Sequence, residues 1–243
     1  MKAFIVFCAL VAITYGANTN RIVGGQNASP GQFKHQASLR SLGNSHFCGA
    51  SIIGKRTLAT AAHCKVYDVD SMIAVVGTTK QNDGNARRYK VAQFIIHENY
   101  TPSTITNDVG VVILTEDIDF SDDLVAALPL ASSRPADNER VTSSGWGYTS
   151  YPGSVPNDLQ WMQMNVLSQN DCSAQTGEIV TGKICTLESK GHGICSGDSG
   201  GPLVNSKGEL VGITSAAYLC ALGKPDFFTD VYYFKDWIVE HAV

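Results

Sequence analysis

The chain has 243 residues, 44% hydrophobic and 16% charged, with a formal net charge of −4. That length suits one large β domain or two small ones sharing a core. Without residues 1–21, which carry Lys2 and Arg21, 16 basic residues face 22 acidic ones. The resulting charge of about −6 argues for solubility and against nucleic-acid or anionic-membrane partners.

At the start, Lys2 precedes an apolar run from Ala3 to Ile13, followed by Thr14 and Gly16 at cleavage-site spacing. Residues 1–16 read as a signal peptide, so the protein is expected to be secreted into an extracellular, oxidising medium. The run is too short to span a bilayer, and no later stretch reaches the needed length. Residues 17–21 form a polar segment ending in Arg21, and Ile22-Val23-Gly24-Gly25 follows. This resembles a processing site: an activating protease cutting after Arg21 would release a propeptide and leave an ammonium on Ile22. The mature chain would run over residues 22–243.

From Phe33 onward, short apolar or alternating runs are punctuated by Gly, Asn, Pro and Ser. They include Ala37–Leu39, Ala50–Ile53, Met72–Val76, Val91–Ile96, Val109–Leu114, Val141–Ser144, Leu159–Val166, Leu203–Val204 and Leu210–Ile213. Such spacing predicts an all-β barrel or sandwich. A helical period is convincing only at the end, where Phe234, Ile238 and His241 or Val243 recur. Of seven cysteines, Cys8 lies in the signal; Cys48, Cys64, Cys172, Cys185, Cys195 and Cys220 remain. An even set in a secreted chain predicts three disulfides, with about fifteen pairings open. Zinc is the weaker reading, because no Cys-x-x-Cys pair exists.

Three stretches carry chemistry. Thr60-Ala61-Ala62-His63-Cys64 surrounds a histidine with small residues; His35, His46, His97, His192 and His241 lack such a context. Asp108 stands at the mouth of the apolar strand Val109–Leu114, where an acid is expensive unless paired, and a histidine is its natural partner. Gly197-Asp198-Ser199-Gly200-Gly201-Pro202 forces a tight turn around one hydroxyl, Ser199. A serine is a poor nucleophile without a base and without donors for the developing charge. Beside it, Asp198 would be a buried or repelling charge, and the new Ile22 ammonium is its expected partner. Breaking such a pair costs about 3–5 kcal/mol, enough to order the loop only after cleavage.

Together with Ser144-Gly145-Trp146-Gly147 and Ile22–Gly25, these stretches resemble the chymotrypsin-type serine endopeptidases over the whole mature chain. The resemblance implies two six-stranded antiparallel β-barrels, a C-terminal α-helix and a cleft between the barrels. His63 and Asp108 would come from the first barrel and Ser199 from the second. Ser199 would attack the peptide carbonyl, His63 carry the proton and Asp108 orient His63. The N–H groups of Gly197 and Ser199 would form the oxyanion hole. It also implies the disulfides Cys48–Cys64, Cys172–Cys185 and Cys195–Cys220.

By the same resemblance, Gly193 lies at the base of the primary pocket, where trypsin-like members carry Asp, and Ser215 and Ala217 line the substrate strand. The family usually has an aromatic and then Gly at the positions of Ala216 and Ala217, and Ala217 narrows the entrance by a methyl. Asp226 replaces a Gly of the pocket wall. A Gly base with a wall Asp resembles the crab and insect serine collagenases, which accept aromatic, aliphatic and some basic side chains.

The expected activity is broad and chymotrypsin-like, in a digestive zymogen. The alternatives are an elastase-like preference for small side chains and a non-catalytic homologue serving as a binding protein. Expected partners are protein and peptide substrates, the activating protease and proteinaceous inhibitors; the expected state is a monomer. No cofactor is implied. Many members bind calcium in a first-barrel loop, but the matching stretch, Thr78 to Tyr89, holds one acid, Asp83, so no metal is expected. Asn27 and Asn99 fit the glycosylation pattern, although Pro30 and Pro102 directly after disfavour occupancy.

Overall fold

A computed structural model describes residues 22–150, 152–178, 180–218 and 220–243. The predicted signal peptide and propeptide, with Arg21, lie outside the described residues. The strands are β1 (Gln26–Asn27), β2 (Gln36–Ser41), β3 (His46–Ile52), β4 (Thr57–Thr60), β5 (Met72–Val76), β6 (Arg87–Ile96) and β7 (Gly110–Leu114), then β8 (Arg140–Gly145), β9 (Gln160–Val166), β10 (Lys183–Leu187), β11 (Pro202–Val204), β12 (Leu210–Ala217) and β13 (Asp226–Asp230). Two α-helices, α1 (Gln169–Thr176) and α2 (Lys235–His241), complete the set.

Strands β2-β3-β4-β7-β6-β5 close into one antiparallel barrel. The ring β8-β9-β10-β13-β12-β11 closes into a second through the β8–β11 and β8–β9 pairings, and β1 adds to it beside β9. The chain is thus all-β, two six-stranded barrels with a C-terminal helix. Burial follows from composition. In β7 all five residues, Gly-Val-Val-Ile-Leu, are buried, as a β-branched run suits. In β6 the buried Tyr89 and Val91 alternate with exposed Lys90 and Ala92, giving that strand one core face.

One apolar cluster runs through both barrels, from Leu39, Ile52 and Val112 to Met164, Ile213 and Phe228. The halves meet backbone on backbone: a Cβ placed on Gly49 of β3 would lie 2.8 Å from Gly201 Cα. Helix α2, at the end of the second half, returns to the first. Trp237 Nε1 donates to Glu98 Oε2 at 2.9 Å, and Thr57 Oγ1 donates to the Val243 carbonyl at 2.7 Å.

Helix α1 is an element that no helical period in the sequence marks. Its sequence, Gln-Asn-Asp-Cys-Ser-Ala-Gln-Thr, buries only Cys172 and so has no apolar period. Its ends hold it instead. Ser168 Oγ accepts from Asp171 N–H at 3.0 Å, and Gly177 closes it at φ +73°. The Cys172–Cys185 bridge pins it to β10. The other disulfides join Cys48 to Cys64 and Cys195 to Cys220.

Candidate active site

His63 sits in a single 3-10 turn, Ala62–Cys64, directly after β4, and its backbone is tied to β3 by the Cys48–Cys64 bridge. Asp108 lies just before β7 and is 2% exposed. Strands β4 and β7 are hydrogen-bonded neighbours, with Thr60 opposite Gly110, so the two side chains emerge together at one end of the barrel. His63 N–H donates to Asp108 Oδ1 at 2.9 Å, and His63 Nδ1 lies 2.8 Å from Asp108 Oδ2. A carboxylate at Nδ1 keeps the proton on that nitrogen and leaves Nε2 as the basic site.

The second barrel contributes to the same carboxylate. Between β12 and β13 the register skips at Ser215, a bulge that turns this side chain out of the ladder. Its hydroxyl donates to Asp108 Oδ2 at 2.6 Å, and Thr229 Oγ1 donates to the Asp108 carbonyl at 2.6 Å. Ser215, expected only as part of the substrate strand, therefore also holds the buried acid. Nothing in a one-dimensional pattern marks that bond, since the bulge creates it.

Ser199 lies across the seam. Its carbonyl accepts from Gly49 N–H at 2.7 Å, and a Cβ on neighbouring Gly200 would lie 3.1 Å from Cys64 Sγ. Gly200 has φ +77° and would also strike Thr60 Oγ1 and Gly49 O, so only glycine allows the loop this close to His63. Within the loop, the N–H groups of Asp198, Gly200 and Gly201 donate to the Cys195, Thr214 and Asp198 carbonyls. Among the described residues, those of Gly197 and Ser199 have no acceptor.

Asp198 is fully buried, and burial pushes its carboxyl up to about 6 against the opposing hydrogen bonds from Cys195 N–H and Gly147 N–H. Those bonds, at 3.0 and 2.8 Å, need glycine on the other side: a Cβ on Gly145 or Gly147 would strike the carboxyl. Ile22 is also fully buried, and Val23 forms an antiparallel bridge with Gly193. The segment beyond Arg21 is therefore seated against the loop that leads to Ser199.

A cavity of about 300 Å³ is lined by Ser199, Ser215, Ala216, Ala217, Ile194 and Cys220. Asp226 is 4% exposed and does not itself line this cavity, but it is hydrogen-bonded to Ile194, which does. Its Oδ2 accepts from Ile194 N–H at 3.0 Å and would be 2.8 Å from a Cβ on Gly193. The missing side chain of Gly193 thus makes room for the Asp226 carboxyl. Ala216 and Ala217 also border a larger cavity of about 510 Å³, whose far side holds Tyr218, Phe227 and Lys183. Cys48, His63 and Cys64 gather donor atoms within 4.8 Å, but both sulfurs are joined in a disulfide and offer no thiolate to a metal.

The family model described as Trypsin matches residues 22–238. Chymotrypsin-2 of Vespa crabro is 37% identical over 225 residues, covering 91% of this chain and all of its own. Trypsin delta of Drosophila melanogaster is 34% identical over 257 residues and covers both chains completely. Trypsin alpha of the same fly is 38% identical, covering 91% of this chain and 88% of its own.

Proposed function

Because this chain belongs to the trypsin family and is a serine endopeptidase, we propose that Ser199, His63 and Asp108 are its catalytic triad. The observation that carries this is the pairing of His63 Nδ1 with the buried Asp108 beside a loop that leaves the Gly197 and Ser199 N–H groups free. Ser199 Oγ attacks the peptide carbonyl carbon while His63 Nε2 takes its proton. The tetrahedral oxyanion is held by those two N–H groups, each donor supplying about 2.7–4 kcal/mol. Collapse breaks the C–N bond, and the departing amine takes the proton back from His63. Water then enters by the same route and releases the acyl group, with Asp108 holding the imidazolium throughout.

The chain is read as a secreted digestive zymogen, with residues 1–16 as signal peptide and 17–21 as propeptide. Cleavage after Arg21 frees the Ile22 amine to pair with Asp198. The burial of Ile22 and the buried, cation-seeking Asp198 support this. Specificity is broad and chymotrypsin-like, of the collagenolytic type, because Gly193 puts no side chain at the pocket base and the space it leaves admits the carboxyl of Asp226. Ala217 favours a second reading, an elastase-like preference for small side chains, since it lines the cavity mouth.

The test is a peptide library varied at the residue before the scissile bond, cut by the protein activated after Arg21. Cleavage after Phe, Tyr and Leu with a minor Arg and Lys component is expected. Cleavage after Ala and Val alone would replace it with the narrow reading. Ser199→Ala should lose on the order of 10⁶ in turnover, and a variant retaining a tenth of the rate overturns the triad.

A further inference from the structure

Arg40 is among the largest fully buried side chains, and no carboxylate among the described residues forms an ion pair with it. Its Nη1 donates to Asn44 Oδ1 at 3.0 Å and to the Gln81 carbonyl at 2.7 Å, while Nη2 has no partner. Taking a guanidinium out of water costs several kcal/mol, and an apolar side chain of similar volume would fill the space at less expense. The remaining nitrogen shows what the cation is kept for.

Ser38 and Arg40 are two residues apart on β2 and share a face. A register skip at Phe47 then brings His46 of β3 opposite Arg40. Arg40 Nε donates to Ser38 Oγ at 2.8 Å, Ser38 Oγ lies 2.8 Å from His46 Nδ1, and His46 Nε2 lies 2.9 Å from the Gly197 carbonyl. The direction of this chain is fixed by chemistry. The Gly197 carbonyl can only accept, so His46 Nε2 must carry hydrogen. A neutral ring then offers Nδ1 as acceptor, and the Ser38 hydroxyl must donate to it. Arginine can only donate, so it fills one of the two lone pairs of Ser38 Oγ and favours a hydroxyl hydrogen turned toward His46. Burial keeps His46 neutral, down to about 4, with the Gly197 carbonyl opposing and Arg40 adding repulsion.

Gly197 has φ +100° and no Cβ to resist a turn of its peptide; the Asp198 N–H holds one edge of that peptide through the Cys195 carbonyl, and the bond from His46 holds the carbonyl edge. We propose that Arg40 is a positioning residue: through Ser38 and His46 it fixes the Gly197–Asp198 peptide, and so sets the backbone from which the neighbouring Gly197 N–H meets the oxyanion. This rests on the reading of Ser199 as nucleophile.

The test uses activated protein with Arg40→Met, Arg40→Lys, Ser38→Ala and the Arg40→Met/Ser38→Ala pair. Arg40→Met should lower kcat about tenfold with KM unchanged, and should weaken a peptide aldehyde, which forms the tetrahedral oxyanion, by the same factor. Arg40→Lys should recover most of the loss, and the double variant should be no worse than Ser38→Ala alone. Wild-type kcat in Ser38→Ala or Arg40→Met, or losses that multiply in the double variant, overturns the proposal. Should Arg40→Met fail to fold, Ser38→Ala still decides. Nitrogen NMR of His46 separates the two readings: a single Nε2–H form is expected in the wild type, and a mixture of tautomers overturns the relay. A wild type with that single form but no proteolysis would instead overturn Ser199 as nucleophile.

Discussion

Burial pushes the Asp226 carboxyl up to about 7 against the hydrogen bond from Ile194, which lines the primary cavity, and Asp198 adds repulsion. A carboxyl titrating there is neutral below that value and anionic above it. Cleavage after Arg and Lys should therefore rise relative to cleavage after Phe and Leu between about pH 6 and pH 8. Paired substrates measured across that range check this, and Asp226→Asn should leave the ratio flat. Asp226 was legible only through the family resemblance, whereas His63, Asp108 and Ser199 were legible from sequence as a set of chemistry-bearing types. Small residues, an apolar strand or clustered glycines surround them. His46 and Arg40 were not, because their relation depends on a one-residue skip between β2 and β3 that no local pattern announces.

Strands with apolar alternation, such as β6 and β9, were readable from their side chains, whereas β4, β10 and β13 were not. The last begins and ends in acids, Asp226-Phe-Phe-Thr-Asp230, yet all five residues are buried. Asp230 pairs with Arg134, and Asp226 is held by a backbone donor. Tertiary partners override what β propensity says of aspartate. A glycine pair isolates the constraint at the seam, since Gly200 and Gly208 share φ +77° but only Gly200 has neighbours within 4 Å. Gly208→Ala should cost about 1–2 kcal/mol from the backbone alone. Gly200→Ala must also displace Thr60 Oγ1 and Gly49 O, and should melt much lower or fail to fold. Thermal melts of the two variants check it, and equal losses would mean that the loop relaxes away from the first barrel.

Over the whole molecule, the uncleaved chain carries buried acids whose folded values, about 6 for Asp198 and about 7 for Asp226, exceed the ordinary carboxyl value. The fold favours their neutral forms, so this contribution is complete below about pH 4 and is lost as pH rises toward 7. For Asp198 that loss is roughly 3 kcal/mol. Intact Ser199→Ala protein should melt lower as pH rises through this window, and cleavage after Arg21 should make the slope shallower by giving Asp198 an ammonium partner. Identical slopes before and after cleavage would show that the amine does not reach it. Pairing with Asp198 after cleavage should raise the Ile22 amine above its free value of about 7.7–8.0. Activity should hold below that value and fail as pH rises through the raised one; a rate flat to strongly alkaline pH would contradict the pairing. The bare contact of Gly49 on Gly201 has one more consequence. With His63 on one bank and Ser199 on the other, turnover becomes a gauge of how well the two halves are registered. A slip of about 1 Å can cost a hundredfold in rate, so mild denaturant should silence the enzyme while its strands are still intact.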